Sequence, residues 1–318
     1  MDLRQLRYFI AIVDHASLSK AAMHLHIAQP ALSQHIRHME EELEVALLFR
    51  AARGVTPTEA GDRLYKRAKV ILALADDLRH SVRGGADSPV GEVRIGMSGT
   101  VSDLVSVPLI EAARERFPGI RVRPVEAMSG YVLDWLRRGE VDVAMVFTPE
   151  DTRGLTVHAV LTEVLCLFGK RGAKPHGLPG GEDISLAAAL RLDLITPGNT
   201  HGLRRLINDA ALATGVTLEP LLEIDSLPQI KKLSQLGRGY GILPETVIAR
   251  EVEEGLFDMW TITQPNLVRS ICLTYANDRK MSVATRALTG LCWEVTRQLV
   301  NEGIWKAILA SDQEVLSF

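Results

Sequence analysis

A chain of 318 residues exceeds one ordinary domain and suits two or three. Its 47% hydrophobic and 24% charged residues make a globular balance, which excludes disordered and fibrous classes. A net charge of −3 does not advertise nucleic-acid binding, apolar runs such as Val143–Phe147 are too short to span a bilayer, and the opening MDLRQLRYF lacks the layout of an export signal, so a cytoplasmic protein without a membrane partner is expected.

The first 58 residues read as short helices. Asp2 can cap a helix whose apolar positions Leu3, Leu6, Phe9, Ile10 and Val13 share a face. Ser17 can cap a second, 18–25, in which Ala21 and Ala22 are small enough for close packing. After a break at 26–28, Pro30 suits the first turn of a third helix. There Leu32, Ile36, Met39 and Leu43 face inward, and Gln29, Ser33, Gln34 and Arg37 face out. Residues 47–55 read as a two-stranded wing around Arg53-Gly54. Thr58 then caps a long helix to about residue 83, with Leu64, Ala68, Ile71, Ala75, Leu78 and Val82 spaced 4, 3, 4, 3, 4. That heptad seam points to pairing with a second copy, the alternative being a helix lying on its own domain. Residues 84–89 read as a flexible link.

From residue 91 strands and helices alternate. Strands are expected at 93–97, 121–125, 141–147, 163–168, 193–196, 221–224, 241–243 and 270–275, and helices at 105–117, 131–138, 203–214, 227–236 and 283–300. Such alternation implies a parallel sheet covered by helices. Residues 304–318 read as a short tail that caps the domain or frames an oligomer contact. Cys166, Cys272 and Cys292 are odd in number and set among apolar residues, so buried reduced thiols are expected and no metal site.

Reading DNA requires a helix with a small polar face at its N-terminal end, braced by the helix before it. Residues 17–37 meet that requirement. Gln29 and Gln34 carry amide forks for adenine edges, Ser33 can reach a base or phosphate, and Pro30 can touch a thymine methyl. Arg37, Arg50 and Arg53 suit phosphate or minor-groove contacts, and Pro57 and Thr58, after the wing, are also expected to meet DNA. Up to residue 58 six bases face six acids, so the case rests on where charges sit rather than on their sum.

The stretch SLSKAAMHLHIAQPALSQHIRHMEEELEVALLFRAARGVTPTEAG, 17–61, resembles the signature of the LysR-type transcriptional regulators. Within that family, LHIAQPALSQ, LLFR and RGVTPTEAGDRLY are similar to the branch of the nitrogen assimilation control proteins. Three positions depart from the pattern. Ala28 replaces the usual Ser or Thr before Gln-Pro, Glu44 stands where glycine is usual, and Leu48 where phenylalanine is usual. The resemblance implies a multidomain protein. It would have a winged helix-turn-helix (1–58), a linker and dimerisation helix with hinge (59–90), and an α/β, two-lobed, periplasmic-binding-protein-like regulatory domain (91–303). Lobe one would be 91–162 with 267–303, lobe two 163–266, joined by crossings near 161–164 and 264–268. It further implies double-stranded DNA as partner, a homodimer built into a homotetramer, contact with RNA polymerase, and a small-molecule effector in place of any cofactor.

Ligands of open α/β folds bind beyond the carboxyl ends of strands, where helix N-termini favour anions. That places Ser98, Gly99, Thr100, Ser129, Gly130, Thr148, Thr200, His201 and Ile242 around a small organic anion, with His201 and Arg204 as sources of positive charge. The same Ser, Thr and Gly residues are also the ordinary caps of such loops. Other classes fail on the residues. The nucleophile elbow lacks its last glycine at Thr100, and no metalloprotease, Walker or Cys-x-x-Cys run occurs, which speaks against an enzyme. A solute-binding protein would lack residues 1–90, and an architectural DNA protein would not need the α/β region. A regulator of this family that works without an effector stays open.

Overall fold

The computed structural model describes residues 1–51, 54–82, 89–149, 151–177, 181–199 and 201–310, without the side chains of 73, 74, 76, 77 and 79–82. Arg53, Thr200, most of the expected link, residues 311–318 and the side chain of Val82 lie outside the described residues. The chain divides into two compact units, one chiefly Met1–Gly91 and the other the remainder.

In the first unit, α1 (Leu3–His15) opens with a reciprocal capping box. Gln5 N donates to Asp2 Oδ1 and Asp2 N to Gln5 Oε1, each at 2.8 Å. α2 (Leu18–Leu25) is capped by the Ser17 hydroxyl. α3 (Gln29–Glu42) starts on Ala28 with no side-chain cap and has Pro30 in its first turn. Leu6, Phe9, Ile12, Leu32, Ile36 and Met39 bury their side chains between the three helices. Leu43, expected inside, caps the C-terminus of α3 and is exposed. β1 (Leu48–Ala51) and β2 (Gly54–Pro57) pair antiparallel as the wing.

α4 (Glu59–Val82) starts at a three-way junction. Thr58 Oγ1 accepts from Gly61 N (3.0 Å) and donates to Ala46 O (2.7 Å), while Thr58 N donates to Leu47 O (2.9 Å). Gly61 lies so close that a Cβ there would sit 2.0 Å from Leu47 O. The expected seam is divided. Ala68 is fully buried in the winged core, and Leu64 packs against that core. The Tyr65 hydroxyl donates to Asp14 of α1, which explains the division: α1 is the compact neighbour that sequence adjacency did not reveal. Ile71 and Leu78 remain exposed, with Ala75 half-buried.

Among the described residues the second unit has three apolar cores on one sheet of nine strands, the third being Val132, Leu136, Ala144 and Val146 with their neighbours. Its elements are β3 (Gly91–Met97), α5 (Gly99–Arg116), β4 (Ile120–Glu126), α6 (Ser129–Arg138), β5 (Val143–Phe147) and β6 (Leu155–Lys170). Then come β7 (Asp183–Ser185), α7 (Leu186–Ala189), β8 (Ile195–Thr196), α8 (Gly202–Ala213), β9 (Leu222–Glu223), α9 (Leu227–Gln235), β10 (Gly241–Pro244) and α10 (Glu245–Glu253). The last are β11 (Phe257–Thr263), β12 (Val268–Ala276), α11 (Val283–Asn301) and β13 (Ile308–Leu309). The order β4-β3-β5-β12-β6-β11-β7, with β10 and β13 also on β6, makes the sheet continuous through both lobes. β8 and β9 form a separate parallel pair.

The sheet is mixed, not parallel as expected. β3 pairs parallel with β5, but β12 runs antiparallel to both β5 and β6. β6 and β12 are the two crossing strands, and they traverse the lobe boundary in opposite directions. The backbone bond Leu165 N to Leu267 O (2.8 Å) ties β6 to the residue just before β12. Lobe one packs residues such as Val101, Leu109, Met145 and Trp293, and lobe two residues such as Phe168, Ile207 and Trp260. α10 was not foreseen, because it begins on Pro244 without a side-chain cap. The domain also extends past residue 303, since Trp305 is buried in the lobe-one core and β13 pairs with β6.

Candidate DNA-binding surface and effector cleft

On α3 the residues that could meet DNA stand where the helical period put them. Gln29, Pro30, Gln34 and Arg37 are exposed beside the buried stripe of Leu32, Ile36 and Met39. Ser33 is half-buried and accepts from Arg50 Nη1 (3.3 Å). Arg50 also lies 3.6 Å from Glu40, whose other oxygen accepts from Leu47 N (2.9 Å) and Leu48 N (3.2 Å). Glu40 thus holds the first wing strand and its arginine against the recognition helix. Pro57 is half-buried at the end of β2. Thr58 is a correction: its hydroxyl is committed at both ends inside the fold, so it builds the start of α4 and has no hydroxyl to offer DNA.

In the α/β unit a cleft of about 360 Å³ opens between the lobes. Ser129, Leu133, Phe147 and Thr148 line it from lobe one, Gly202, Leu203, Arg205 and Asp209 from lobe two, and Val268, Arg269 and Ser270 from the crossing strand. Two helices start at its rim, α6 at Ser129 and α8 at Gly202, as expected for an anion site. Gly202 allows the close approach of the lobes, since a Cβ there would lie 3.0 Å from the Phe147 ring.

The central cation is Arg269, which sequence reading missed. It is 4% exposed, and burial pulls its pKa down while Glu163 opposes that. An arginine stays charged even so. Its Nε donates to Glu163, its Nη2 to Thr100 Oγ1 (2.9 Å), and its guanidinium carbon stacks 4.3 Å from the centre of the Phe147 ring. Its Nη1 has no hydrogen-bond partner among the described residues. The buried hydroxyls of Ser98 and Ser129 lack one as well. Ser98 occupies the N-cap position of α5 without capping through its side chain, so the ordinary explanation of a serine there does not hold. Unsatisfied buried polar groups are costly and rare, and the two that line the cleft, on Ser129 and Arg269, point to a ligand there, whereas Ser98, Ser234 and Thr274 are unsatisfied away from its lining.

Other candidates fall elsewhere. Thr100 is turned to Arg269 behind the cleft wall, and Gly99 and Gly130 start their helices without lining the cavity. Thr148 lines it and contacts Cys272 Sγ at 3.1 Å. Ile242 is a correction: it is buried in the lobe-two core, because β10 lies on β6 rather than at the mouth. The expected charges of His201 and Arg204 are corrected too. His201 caps α8, its Nδ1 accepting from Leu203 N (3.2 Å), and burial with nearby Arg269 pushes its pKa down to about 4, so it is neutral near pH 7. Arg204 is buried and spent on Thr196, Pro197, Asn208 and Glu223. A lone cation on an interior strand, as in VRSICLTYA, was the one signal that could have marked Arg269.

Cys166, Cys272 and Cys292 are free and buried, as expected. Burial pushes Cys166 and Cys292 up to about 12 and raises Cys272, which makes all three poor thiolates. Among the described residues no group of three His, Cys, Asp or Glu could hold a metal, and no helix is long and apolar enough to cross a membrane.

A helix-turn-helix with a wing, followed by a two-lobed α/β domain with a polar interlobe cleft, defines a DNA-binding regulator with a ligand-binding type of domain. Comparisons with known proteins give the family. Residues 3–62 match the description "Bacterial regulatory helix-turn-helix protein, lysR family", and residues 86–297 match "LysR substrate binding domain". The chain is 32% identical to the nitrogen assimilation regulatory protein nac of Escherichia coli K12, over 95% of this chain and 97% of that protein. It is 31% identical to the nac protein of Klebsiella aerogenes, over 91% and 93%. Its fold is similar to that of a full-length single-residue variant of OxyR from Pseudomonas aeruginosa (TM-score 0.75, 20% identity, 93% and 95% covered). It also resembles full-length CbnR in complex with its target DNA (TM-score 0.65, 21% identity, 94% and 99% covered). The chain belongs to the LysR family of transcriptional regulators: it is a DNA-binding regulator with an effector-binding domain, and not an enzyme.

Proposed function

We propose that this regulator acts in the cytoplasm on genes of nitrogen assimilation and is controlled by a small organic anion, without a cofactor. The gene class is supported by likeness to the two nac proteins along nearly the whole chain. The anion is supported by one observation above others: a buried guanidinium whose Nη1 has no partner among the described residues lines the interlobe cleft beside the free hydroxyl of Ser129. A carboxylate seated there would satisfy both. Leu133, Phe147 and Leu203 would cover the apolar body of the ligand.

Two chains pair through the seam of exposed Ile71 and Leu78 with half-buried Ala75, presenting two recognition helices to inverted half-sites. Pairs of dimers form a tetramer, and the effector biases its arrangement and its contact with RNA polymerase. By linkage the effector and DNA then shift each other's affinity by the same factor.

The test is a footprint on DNA upstream of the protein's own coding region, with random duplex as competitor, followed by a screen of organic acids. Protection with inverted symmetry is expected, altered by an acid that wild type binds and Ser129→Ala binds more weakly. Protection that no acid alters would favour a regulator without an effector, and no preference over random DNA at any salt would move the target elsewhere. Gln34→Ala should lower specific binding about 10-fold to 100-fold and leave non-specific binding in place. Arg53→Ala should weaken both and flatten the salt dependence by about one charge.

A further inference from the structure

We propose that residues 303–310 form a strap across the lobes whose closure is coupled to anion occupancy of the cleft, with Glu163 as the joint. The proposal rests on the reading that the cleft takes an anion at Arg269.

After α11, Gly303 turns the chain in the left-handed region (φ +72). The chain then touches three parts of the domain within a few residues. Trp305 is buried in the lobe-one core, with its N bonded to Leu299 O (2.9 Å). Lys306 reaches lobe two: its N donates to Thr246 Oγ1 (3.0 Å) and its Nζ to Glu245 Oε1 (2.6 Å), both on α10. Ile308 and Leu309 then pair with Thr162 and Leu161 of the crossing strand β6, and Ala310 N donates to Val160 O (2.9 Å). A segment fixed to both lobes and to the strand between them restrains their relative angle.

Glu163 joins this strap to the cleft. It is 1% exposed and divides its carboxylate. Oε1 accepts from Arg269, which lines the cleft, and Oε2 accepts from the Trp305 indole N–H (2.9 Å). Arg269 is the only cation in a salt bridge with Glu163 among the described residues. A buried carboxylate in that position needs both donors, and such networks stand or fall together. An anion on Nη1 completes the guanidinium's bonding and fixes its plane, which holds Glu163 and, through it, Trp305. Ligand and strap therefore favour each other, and the coupling is reciprocal.

The test is amide exchange in the full-length protein, read at Trp305, Lys306 and Ala310. Arg269→Met should speed exchange there at least about 10-fold while Val105 in α5 keeps its protection. Thr100→Val removes only the acceptor that steadies Nη2 and should give a smaller rise, about 3-fold, if the larger change prevents folding. Strap exchange unchanged in a folded variant of either kind overturns the proposal. The reciprocal arm uses sodium acetate, the smallest stable carboxylate probe, titrated into wild type and Trp305→Phe, which keeps a ring and loses the N–H. Acetate affinity reduced about 3-fold to 10-fold in Trp305→Phe is expected. Equal affinity overturns the coupling and leaves the anion reading standing. No acetate binding to wild type, together with a strap opened by Thr100→Val, supports the coupling and removes the carboxylate reading.

Discussion

On α3 the polar side chains come from a single short run, 29–37, and all but the half-buried Ser33 stand in the open. In the cleft they come from three stretches, 129–149, 202–209 and 268–270, and the decisive cation is buried. The first surface needs only a helix with one apolar side, so periodicity within the segment reveals it. The second needs two lobes to close at the right spacing, so a serine or arginine has no visible role until distant strands are paired. Strain is distributed differently as well. The winged unit carries its irregularities in its loops, at an uncapped helix start and a left-handed Glu44. The α/β unit has left-handed loop residues too, His176 and Gln264, and in addition keeps unsatisfied groups inside, at Ser98, Ser129, Ser234, Arg269 and Thr274.

The largest effect that would sharpen this contrast comes from Gly61→Ala. A Cβ at the Leu47 carbonyl forces the start of α4 away from the wing. The winged unit should lose on the order of 3 kcal/mol and its DNA binding, while amide exchange in the α/β unit stays as it was. Comparable loss in both units would show that their stabilities are not separable.

A pH effect of somewhat smaller size belongs to the other unit. His201 titrates near 4 when folded against 6.5 unfolded, so between these values the unfolded chain binds the extra proton. Stability then falls as pH drops from about 6.5 toward 4, by roughly 3 kcal/mol at most, and is unaffected above that window. His201→Asn retains a capping side chain and should flatten acid unfolding of the α/β unit in this range. An unchanged acid profile would mean that His201 is solvated.

Two stabilising changes test the loop strain of the winged unit. Ala28→Ser supplies the missing cap of α3 and should add about 1 kcal/mol in chemical denaturation. Glu44→Gly relieves a left-handed residue (φ 53) and should add roughly 0.5 kcal/mol, the smallest effect. If either change instead destabilises, the departure from the family pattern at that position is an adaptation of this chain.

Local order was legible wherever the signal was local. The capping box at Asp2, the cap at Ser17 and the proline in α3 each set a helix start within a few residues of the chain. The start of α8 was close to the expected 203, but α5 begins at Gly99, six residues before the expected 105, because Ser98 at its N-cap makes no side-chain cap bond. Ala68 went wrong because a heptad pattern looks the same whether its partner is a second copy or α1. Ile242 went wrong because a short apolar strand does not reveal which neighbour it will pair with.

Residue order is enough to establish the family, the recognition helix with its outward face, and the alternation that makes an α/β sensor. These depend on periodicities of a few residues and on a motif confined to one continuous stretch, 17–61. Closure of the fold was needed to show that the sheet is mixed, that Arg269 and Arg205 rather than His201 or Arg204 bring positive charge to the cleft, and that Glu163 ties Arg269 to Trp305. The reason is that burial, pairing direction and protonation are set by groups far apart in the chain, Glu163 lying 106 positions from Arg269 and 142 from Trp305, and their meeting is a property of the closed fold.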